Sequence, residues 1–241
     1  EENPILASSI LQQMYQLLGQ EEVQKLCDSK LKQNPDSLVA NFTKFNLAVL
    51  KKDYNKALDY INKCIKITSD DPVMKFDNIQ RKVEILRFAY LRTMDKSYLD
   101  KAIKEYESLL SEMPNNYNIM NNLAYLLVET DQQLQTAMDY AQKAYQAMPN
   151  NANILDTYAF VLYKNGQYEK ALKMIQAALQ QYETQNITAR AEVYEHLGDI
   201  AKALNQNTKA LDAYQQVLKI GENSLSQKKK QQIETRIKNL K

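Results

Sequence analysis

The feature that most constrains the fold of this chain is a repeated pattern, because a period of about 20 to 50 residues fixes the architecture before any single motif does. Six segments carry a small residue that an apolar residue follows three or four positions later. Their leading residues are spaced 34, 45, 35, 34 and 39 positions apart, which predicts a protein built from repeats. The pairs are Val23 with Cys27, Ala57 with Ile61, Ala102 with Tyr106, Ala137 with Ala141, Ala171 with Ile175, and Ala210 with Tyr214.

Each repeat is predicted to contain two helices. In three segments a proline lies 12 residues after the leading residue, at Pro35, Pro114 and Pro149, and proline ends a helix because it cannot donate to the hydrogen-bond ladder. Before each small–apolar pair in the sequence lies another apolar stretch with helical spacing, clearest over 155–162 and 194–201. Small residues are needed where the two helices cross closely, because a larger side chain would push them apart. These residues are Ala159 and Gly198 on first helices and Ala171 and Ala210 on second helices.

The composition excludes several classes of protein. Only 4 Gly and 5 Pro occur in 241 residues, too few for the turns of a sandwich, a barrel or a doubly wound sheet. A formal charge of +2 argues against a chain built mainly to bind nucleic acid or an anionic membrane, and no run of 18 apolar residues predicts a membrane-spanning helix. Cys27 and Cys64 fit no zinc pattern. We expect two buried helix residues there, with one disulfide as the alternative.

Two strings within the repeats carry a recognisable motif. Residues 165–168 read Asn-Gly-Gln-Tyr between two helices, and residues 194–199 read Tyr-Glu-His-Leu-Gly-Asp on a first helix. The pattern resembles the tetratricopeptide repeat family, whose unit reads W-x2-L-G-x2-Y, then A-x3-F, then P. The resemblance implies an all-α fold, a right-handed superhelical solenoid of about six helix pairs with a C-terminal capping helix. It predicts one domain over 1–241, with repeats at 5–37, 38–71, 83–116, 117–151, 152–185 and 191–224, and the capping helix at 225–241.

Two insertions depart from the regular repeat. Residues 72–82 contain no second helix breaker, so we expect them to extend the next first helix by about two or three turns, starting at Pro72. Residues 186–190 form a shorter insertion, in which Asn186 or Thr188 is a candidate cap for the following helix.

The C-terminal segment reads as an amphipathic helix. Ile233, Ile237 and Leu240 form one stripe, and the lysine and arginine residues lie elsewhere on the helix. A repeat stack needs a terminal element with an apolar inner face and a polar outer face, so we expect this helix to cap the last repeat. Binding of a membrane surface or an anionic partner by its lysine run is the alternative.

The expected binding surface is the concave wall that the first helices line. Asparagine satisfies both the N–H and the C=O of an extended peptide, and Phe and Tyr offer flat apolar area, so we expect a peptide or protein segment as the ligand. The alternative is that the asparagines only cap a helix and the aromatic residues only fill the core. The candidate contacts are Phe42, Asn46, Arg87, Asn118, Asn121, Asn122, Tyr125, Asp156, Phe160, Tyr163, Glu192, Glu195, His196 and Asp199, and the same projection also includes Val49, Leu50, Glu84, Phe88, Leu91 and Asn153.

Charge along this wall narrows the expected ligand. Some members of the family bind a C-terminal carboxylate with a clamp of Lys, Asn and Arg on successive first helices. Asn46 matches one clamp asparagine, but Phe42 stands where a lysine is needed, and Glu84 and Phe88 stand where the later Lys and Arg are needed. The acidic end, over 192–199, instead favours a basic segment or an N-terminal amine.

Little in the sequence predicts catalysis or metal binding. Glu192, Glu195, His196 and Asp199 share one helix face, and Glu192 with His196 has the spacing to share a divalent ion. His196 is the only histidine, and no second Glu-x-x-His occurs. Four glycines provide no phosphate-binding loop. We therefore predict no enzyme, no cofactor and no metal, and keep a metal-dependent enzyme as the least favoured alternative.

The sequence thus predicts a non-catalytic scaffold that binds a protein or peptide in its concave groove, and neither nucleic acid nor insertion into a membrane. A structural spacer or self-associating subunit is the second hypothesis, through the first repeat or the long helix over 72–94. The sequence does not determine the cellular compartment of the protein. A composition rich in Asn, Gln, Lys and Tyr is similar to bacterial members of the family, and a start at Glu1 rather than Met favours the periplasm or cell envelope over the cytoplasm.

Overall fold

A computed structural model describes the chain over residues 4–222 and 225–240, with side chains from residue 17 onward. Every regular element in this described part is an α-helix, so the predicted all-α fold class is confirmed. The side chains of 5–16 in the first predicted repeat, residues 223–224 of the last one, and Lys241 of the capping segment lie outside the described residues.

The chain divides into two compact units, 1–109 and 110–241. A single domain over 1–241 and its repeat boundaries stay predictions. The first unit contains α1 (Pro4–Gln33), α2 (Leu38–Leu50), α3 (Tyr54–Ile67), α4 (Pro72–Thr93) and most of α5 (Lys96–Glu112). The second contains α6 (Tyr117–Glu129), α7 (Leu134–Ala147), α8 (Ala152–Lys164), α9 (Tyr168–Thr184), α10 (Ala191–Ala203), α11 (Asn207–Ile220) and α12 (Gln227–Lys238).

Proline and glycine end or break the helices where the sequence predicts. α1, α5 and α7 each end two residues before one of the repeated prolines. α1 is also interrupted at Gly19, where φ is 76° and ψ is 163°, and only glycine adopts this backbone conformation without strain. α1 therefore consists of two helical segments.

Short polar side chains begin many of the helices. Asn116 and Asn151, for example, each accept hydrogen bonds from two backbone N–H groups in the first turns of α6 and α8. The prediction that Asn186 or Thr188 caps α10 is wrong, because α10 begins at Ala191 and its N-cap is Arg190, which makes no side-chain capping bond. Asn186 instead adopts a left-handed φ of 55°, which asparagine tolerates better than most residues.

The extension of α4 is confirmed. The helix has 22 residues, whereas α2, α6, α8 and α10 have 13 each. Asp71 accepts hydrogen bonds from the backbone N–H groups of Val73 and Met74, and Pro72 occupies the first position, where a missing N–H costs nothing. The Asn78 side chain donates to Thr68 Oγ1 at 3.1 Å, which ties the added turns to the end of α3.

The repeated small residues lie where the helices of a pair pack together. All six leading residues of the pattern, from Val23 to Ala210, expose none of their surface. Ala159 is equally buried on α8, opposite Ala171 on α9. This burial is consistent with the close helix crossing that the sequence predicts at these positions.

Both cysteines are free and buried, as expected. Burial raises the pKa of the Cys64 thiol to about 12 and also raises that of Cys27. Neither thiol is therefore activated as a nucleophile or a metal ligand.

α12 packs its apolar stripe against the last helix pair. Ile233 is completely buried in a cluster with Tyr214 and Val217, and Ile237 and Leu240 pack at its edge. This arrangement covers apolar surface that the last pair would otherwise expose. Among the described helices, none is both long and apolar enough to span a membrane.

Gly198 allows α10 to approach α11 closely. A Cβ atom at this position would lie 2.4 to 2.9 Å from three ring atoms of Tyr214. The ring cannot move aside easily, because it is fully buried and its hydroxyl donates to Asp199 Oδ1 at 2.6 Å.

We expect Gly198→Ala to lower the free energy of unfolding by up to about 2 kcal/mol. This is the difference between the roughly 1–3 kcal/mol cost of overpacking and the gain of about 1 kcal/mol for Ala over Gly in a helix. Urea denaturation followed by circular dichroism measures the change. In a Tyr214→Ala background the same substitution should be neutral or stabilising, and destabilisation there as well would contradict the steric explanation.

Candidate functional site

The first helices of the second unit bring several predicted site residues together. Tyr125 on α6, Phe160 on α8 and His196 on α10 form one aromatic cluster across three successive first helices. The Phe160 and His196 rings stack with centroids 4.1 Å apart and an interplanar angle of 13°. Tyr125 lies 6.2 Å from Phe160 and 6.3 Å from His196 in tilted geometry. Residues that are far apart in the sequence thus meet on one face.

A buried polar pair lies beside this cluster. His196 Nδ1 is 2.8 Å from Asp156 Oδ1, and the two residues expose only 6% and 1% of their surface. Arg190 approaches the other carboxylate oxygen of Asp156 at 4.0 Å, and its other terminal nitrogen lies 3.5 Å from Glu192. Asp156 therefore lies between the His196 imidazole and the Arg190 guanidinium.

The environment of His196 favours its charged form. Burial lowers the pKa of His196, but the charge of Asp156 and the hydrogen bond to it raise the pKa, and Glu195 and Glu192 act in the same direction. The net shift is upward from the usual value. His196 therefore stays protonated up to a higher pH than an isolated histidine does.

The exposed margin of the face is aromatic and polar. The half-buried Tyr163 ring is 6.2 Å from Phe160 at 13°, and Lys164 Nζ lies 5.7 Å from the Phe160 ring centroid. Tyr125 is also half-buried, so both tyrosines remain partly accessible to solvent. This surface can contact a ligand without unfolding the helices that carry it.

The three asparagines of α6 have different environments. Asn118 is exposed, and Asn122 is half-buried and accepts a hydrogen bond from the Asn121 side chain at 3.3 Å. Asn121 is 8% exposed, and its Oδ1 is one of two buried side-chain atoms in the described residues that lack a hydrogen-bond partner. The capping residue of α6 is Asn116, so none of the three is the helix cap.

The acidic residues of α10 are largely occupied by the chain itself. Glu195 accepts hydrogen bonds from Lys229 at 2.7 Å and from Arg236 at 3.1 Å, both on α12. Asp199 accepts from Arg236 at 2.8 Å and from the Tyr214 hydroxyl. Burial and Asp199 together raise the pKa of Tyr214. The sequence predicts a basic ligand at this acidic end. Glu195 and Asp199 instead pair with Lys229 and Arg236 of α12.

The remaining predicted residues belong to the first unit. Phe42 is buried on α2, with the Arg81 guanidinium 5.0 Å from its ring centroid, and Asn46 is half-buried one turn further on. Arg87 on α4 donates to Glu84 at 2.7 Å and 3.0 Å. The structure places Phe42 and Arg81 side by side on adjacent first helices.

Sequence reasoning missed Arg190, Lys229 and Arg236 as members of this surface. Arg190 ends the 186–190 insertion, and an insertion directly before a first helix was the available signal. The two α12 residues carried no such signal, because they stand among other cations on a polar helix face.

Nothing in the described residues forms a metal centre. No group of three or more His, Cys, Asp or Glu side chains is arranged to hold a metal ion in that part of the chain. His196 Nδ1 is bonded to Asp156, and Glu192 faces Arg190, so the pair suggested by their spacing does not converge on a common point.

Sequence models of one family match two parts of the chain. Tetratricopeptide repeat models match residues 151–223 and 46–71. The larger match includes α8 to α11 and therefore the Asp156–His196 pair. No curated protein shows significant sequence similarity to the chain.

Solved structures share this fold at low sequence identity. PilW, a widely conserved type IV pilus biogenesis factor, is 15% identical with a TM-score of 0.59, and the match covers 99% of both chains. The APC/C hetero-tetramer Cut9-Hcn1 gives 15% identity and a TM-score of 0.63 over 95% of this chain and 41% of that one. TTC0263, a thermophilic TPR protein in Thermus thermophilus, is 14% identical with a TM-score of 0.53, and the match covers 83% of this chain and 98% of that one. These likenesses concern the fold.

The Asp156–His196 pair makes stability depend on pH. The folded-state pKa of His196 lies above its unfolded value of about 6.5. The stability that protonated His196 contributes is therefore fully present below about pH 6.5 and is lost as the pH rises through the folded-state pKa. We expect the free energy of unfolding of the wild type to fall over this range and that of His196→Gln to lack the fall. Urea denaturation at several pH values measures both.

Because the chain has a single histidine, an NMR titration of its imidazole checks the same expectation without a variant. A midpoint at or below the usual value, or parallel stability curves for wild type and variant, would contradict it.

Proposed function

We propose that this chain, which belongs to the tetratricopeptide repeat family, is a non-catalytic interaction module that holds an extended peptide or protein segment on the first-helix face of its second unit. The fold in general supports a protein–protein interaction scaffold. The observation that carries the finer proposal is the cluster of Tyr125, Phe160 and His196 on three successive first helices.

The chemistry of this face suits a peptide. Tyr125 and Tyr163 offer flat, half-exposed ring surface, which binds apolar side chains at a low entropy cost. Asn118 and Asn122 supply amide donors and acceptors for a peptide backbone. Arg190 adds an exposed cation at the edge.

The buried pair supports a binding role over a purely structural one. Taking Asp156 and His196 out of water costs desolvation free energy, and a well-packed apolar pair is often as stable or more so. The pair also holds His196 against Phe160 and so fixes the shape of the aromatic surface. We assign Asp156 and His196 a positioning role beneath the contact residues.

The absence of catalysis is part of the proposal. His196 is nearly buried, and its Nδ1 is bonded to Asp156, so it is not presented to a bound substrate as a general base. Both thiols are buried with raised pKa values. These observations favour binding without chemistry.

The proposal is tested by peptide selection and a matched pair of variants. Peptides selected from a random displayed library on the wild type are titrated by fluorescence anisotropy. We expect Asn122→Ala/Tyr125→Ala to weaken binding by at least about tenfold, or about 1.4 kcal/mol. The control Tyr140→Ala/Gln142→Ala likewise removes one tyrosine and one amide side chain, but from α7, and should change affinity less than about twofold.

Asp156→Ala is not a suitable test, because it would leave His196 buried without its partner and destabilise the fold. Failure to select any peptide, or equal losses in the two double variants, would overturn the proposed binding face.

Self-association is a second candidate function, favoured by the apolar surface of α1. Leu17 and Leu18, before the break at Gly19, and Leu26, after it, are exposed on this helix, and large exposed apolar surface marks interaction sites. We expect this surface, if it joins copies, to give a concentration-dependent dimer in light scattering that Leu26→Ser weakens. A monomer at all concentrations would exclude this candidate.

A bacterial cell-envelope location is also proposed. It is supported by the shared fold with PilW, a pilus biogenesis factor. Fractionation of source cells, with recovery of the protein in the envelope or periplasmic fraction, tests this location, and recovery in the cytoplasmic fraction would reject it.

A further inference from the structure

A cavity of about 320 Å³ lies within the second unit, between the first turn of α8, the last turn of α9 and the 186–190 insertion that precedes α10. Small-molecule sites in proteins have volumes of about 300–1,000 Å³, so the cavity has room for a small ligand. None of its lining residues belongs to the cluster of Tyr125, Phe160 and His196. The cavity is therefore separate from the aromatic surface described above.

The insertion presents Thr188 and Arg190 to this cavity. The backbone N–H of Ile187 donates to Tyr182 O at 2.9 Å, which ties the insertion to the end of α9. Ala189 is 5% exposed and packs in the same apolar cluster as Tyr182. Side chains alternate along an extended segment, so the residues on either side of Ala189 point away from this cluster, and both line the cavity. The insertion thus forms an anchored wall.

The polar lining of the cavity includes a buried hydrogen bond. The Tyr182 hydroxyl donates to Asn153 Oδ1 at 2.7 Å, and Tyr182 is 7% exposed. Burial raises the pKa of Tyr182, so the hydroxyl stays protonated and keeps this bond. The side chains of Asn153, Gln185 and Thr188 carry N–H and O–H donors, and all three residues line the cavity. The cavity can therefore donate several hydrogen bonds to a ligand.

Arg190 brings positive charge to the cavity. Its side chain is 59% exposed, and its terminal nitrogens lie 4.0 Å from Asp156 and 3.5 Å from Glu192. Charge-assisted hydrogen bonds of a guanidinium are about 2.7–2.9 Å long, so neither carboxylate holds the group in a close pair. Glu192 is itself 48% exposed, and an exposed ion pair contributes little stability. A ligand carboxylate, whose two oxygens match the guanidinium fork, can therefore replace Glu192.

The surrounding charges favour a ligand with a single negative charge. Asp156 and Glu192 both lie within 4.0 Å of Arg190, so they would repel a dianion such as phosphate more than a monocarboxylate. Ala152 and the 53% exposed Ile187 add apolar surface to the lining. The cavity thus combines one cation, several hydrogen-bond donors and a short apolar wall.

We infer that this cavity binds a small organic acid, with the carboxylate on Arg190, hydrogen bonds from Thr188 and Asn153, and the carbon skeleton against Ile187. The inference goes beyond the proposed function, because the ligand is a free small molecule and the site lies outside the aromatic surface. Three of the four contact residues belong to the insertion or follow directly from its fold, so the site depends on a segment that departs from the regular repeat.

Occupancy of the cavity should be coupled to His196 through Asp156. One carboxylate oxygen of Asp156 contacts His196 Nδ1, and the other faces Arg190. A bound carboxylate draws the Arg190 charge away from Asp156 and adds a negative charge, and both changes stabilise the imidazolium. The pKa of His196 should therefore rise further when the cavity is filled.

The remaining groups around His196 leave this coupling in place, since two are carboxylates that act in the same direction and two are rings without charge. They are Glu192 and Glu195 on α10, Tyr125 on α6 and Phe160 on α8, and Glu195 is also paired with Lys229 and Arg236 of α12. The titration of the single histidine therefore reports whether Arg190 is engaged by a ligand.

Matched acids and amides test the inference on the whole chain. Lactate and benzoate are compared with lactamide and benzamide, which keep the carbon skeleton but lose the charge, with ionic strength held constant by sodium chloride. NMR titrations should show saturable binding of the acids on the order of millimolar, at least about tenfold tighter than that of the amides. The acids, but not the amides, should raise the titration midpoint of His196. Inorganic phosphate should bind more weakly than either acid.

Four variants locate the binding. Arg190→Gln should weaken the acids by at least about tenfold and abolish the shift of the His196 midpoint. Thr188→Val should weaken them by roughly threefold, and Glu192→Gln, which removes the competing carboxylate, should tighten them by roughly twofold to fivefold. The control Lys170→Gln removes one cation of α9 outside the cavity and should leave the affinity unchanged. All four side chains are exposed, so circular dichroism should show an unchanged fold.

Several outcomes would overturn the inference. These are acids that bind no better than their amides, an acid affinity that Arg190→Gln leaves unchanged, or phosphate that binds more tightly than both acids. The last result would assign the cavity to a general anion rather than to an organic acid.

Competition with a library-selected peptide separates this inference from the proposed function. A saturating peptide should leave the acid bound, and Asn122→Ala/Tyr125→Ala should lose the peptide but keep the acid. Displacement of the acid by the peptide would make the cavity part of the peptide surface and overturn a separate site. Failure of the acids alone would reject the cavity, whereas failure of the peptides alone would reject the proposed function.

Discussion

The close crossing of the two helices in each pair is the constraint on which the rest of this structure depends. Alanine occupies five of the six leading positions of the repeat, and all six are completely buried. A side chain there must be small, because a larger one would push the two helices apart. The crossing orients the first helices, and only this orientation brings Tyr125, Phe160 and His196 together from three separate elements.

The acidic face of α10 forms as the sequence predicts, but two of its carboxylates pair with α12 of the same chain and not with a ligand. The sequence places Glu195 and Asp199 on one helix face, and the structure agrees. Their partners Lys229 and Arg236 come from α12, which packs there because Ile233 is buried against the last pair. Apolar packing thus brings cations to carboxylates that would otherwise be open to a ligand. This leaves Tyr125, Tyr163, Asn118 and Asn122 as the accessible part of the proposed site.

The two units offer different chemistry to a partner. The proposed site of the second unit is aromatic and amide-rich over a buried ion pair, and it needs no large exposed aliphatic surface. The first unit carries nine of the ten exposed large apolar side chains recorded in the described residues, and Ile187 is the exception. Flat rings with amides suit an extended chain.

The sequence by itself determined the helical class, the pairing of helices, their ends at the repeated prolines and the long α4 starting at Pro72. These features follow from local chemistry, since periodicity, capping and proline act over a few residues. Only the tertiary structure decided that Asp156 pairs with His196 and that Lys229 and Arg236 of α12 pair with Glu195 and Asp199. These contacts join residues up to 41 positions apart, and such distances depend on how helices pack rather than on any local pattern.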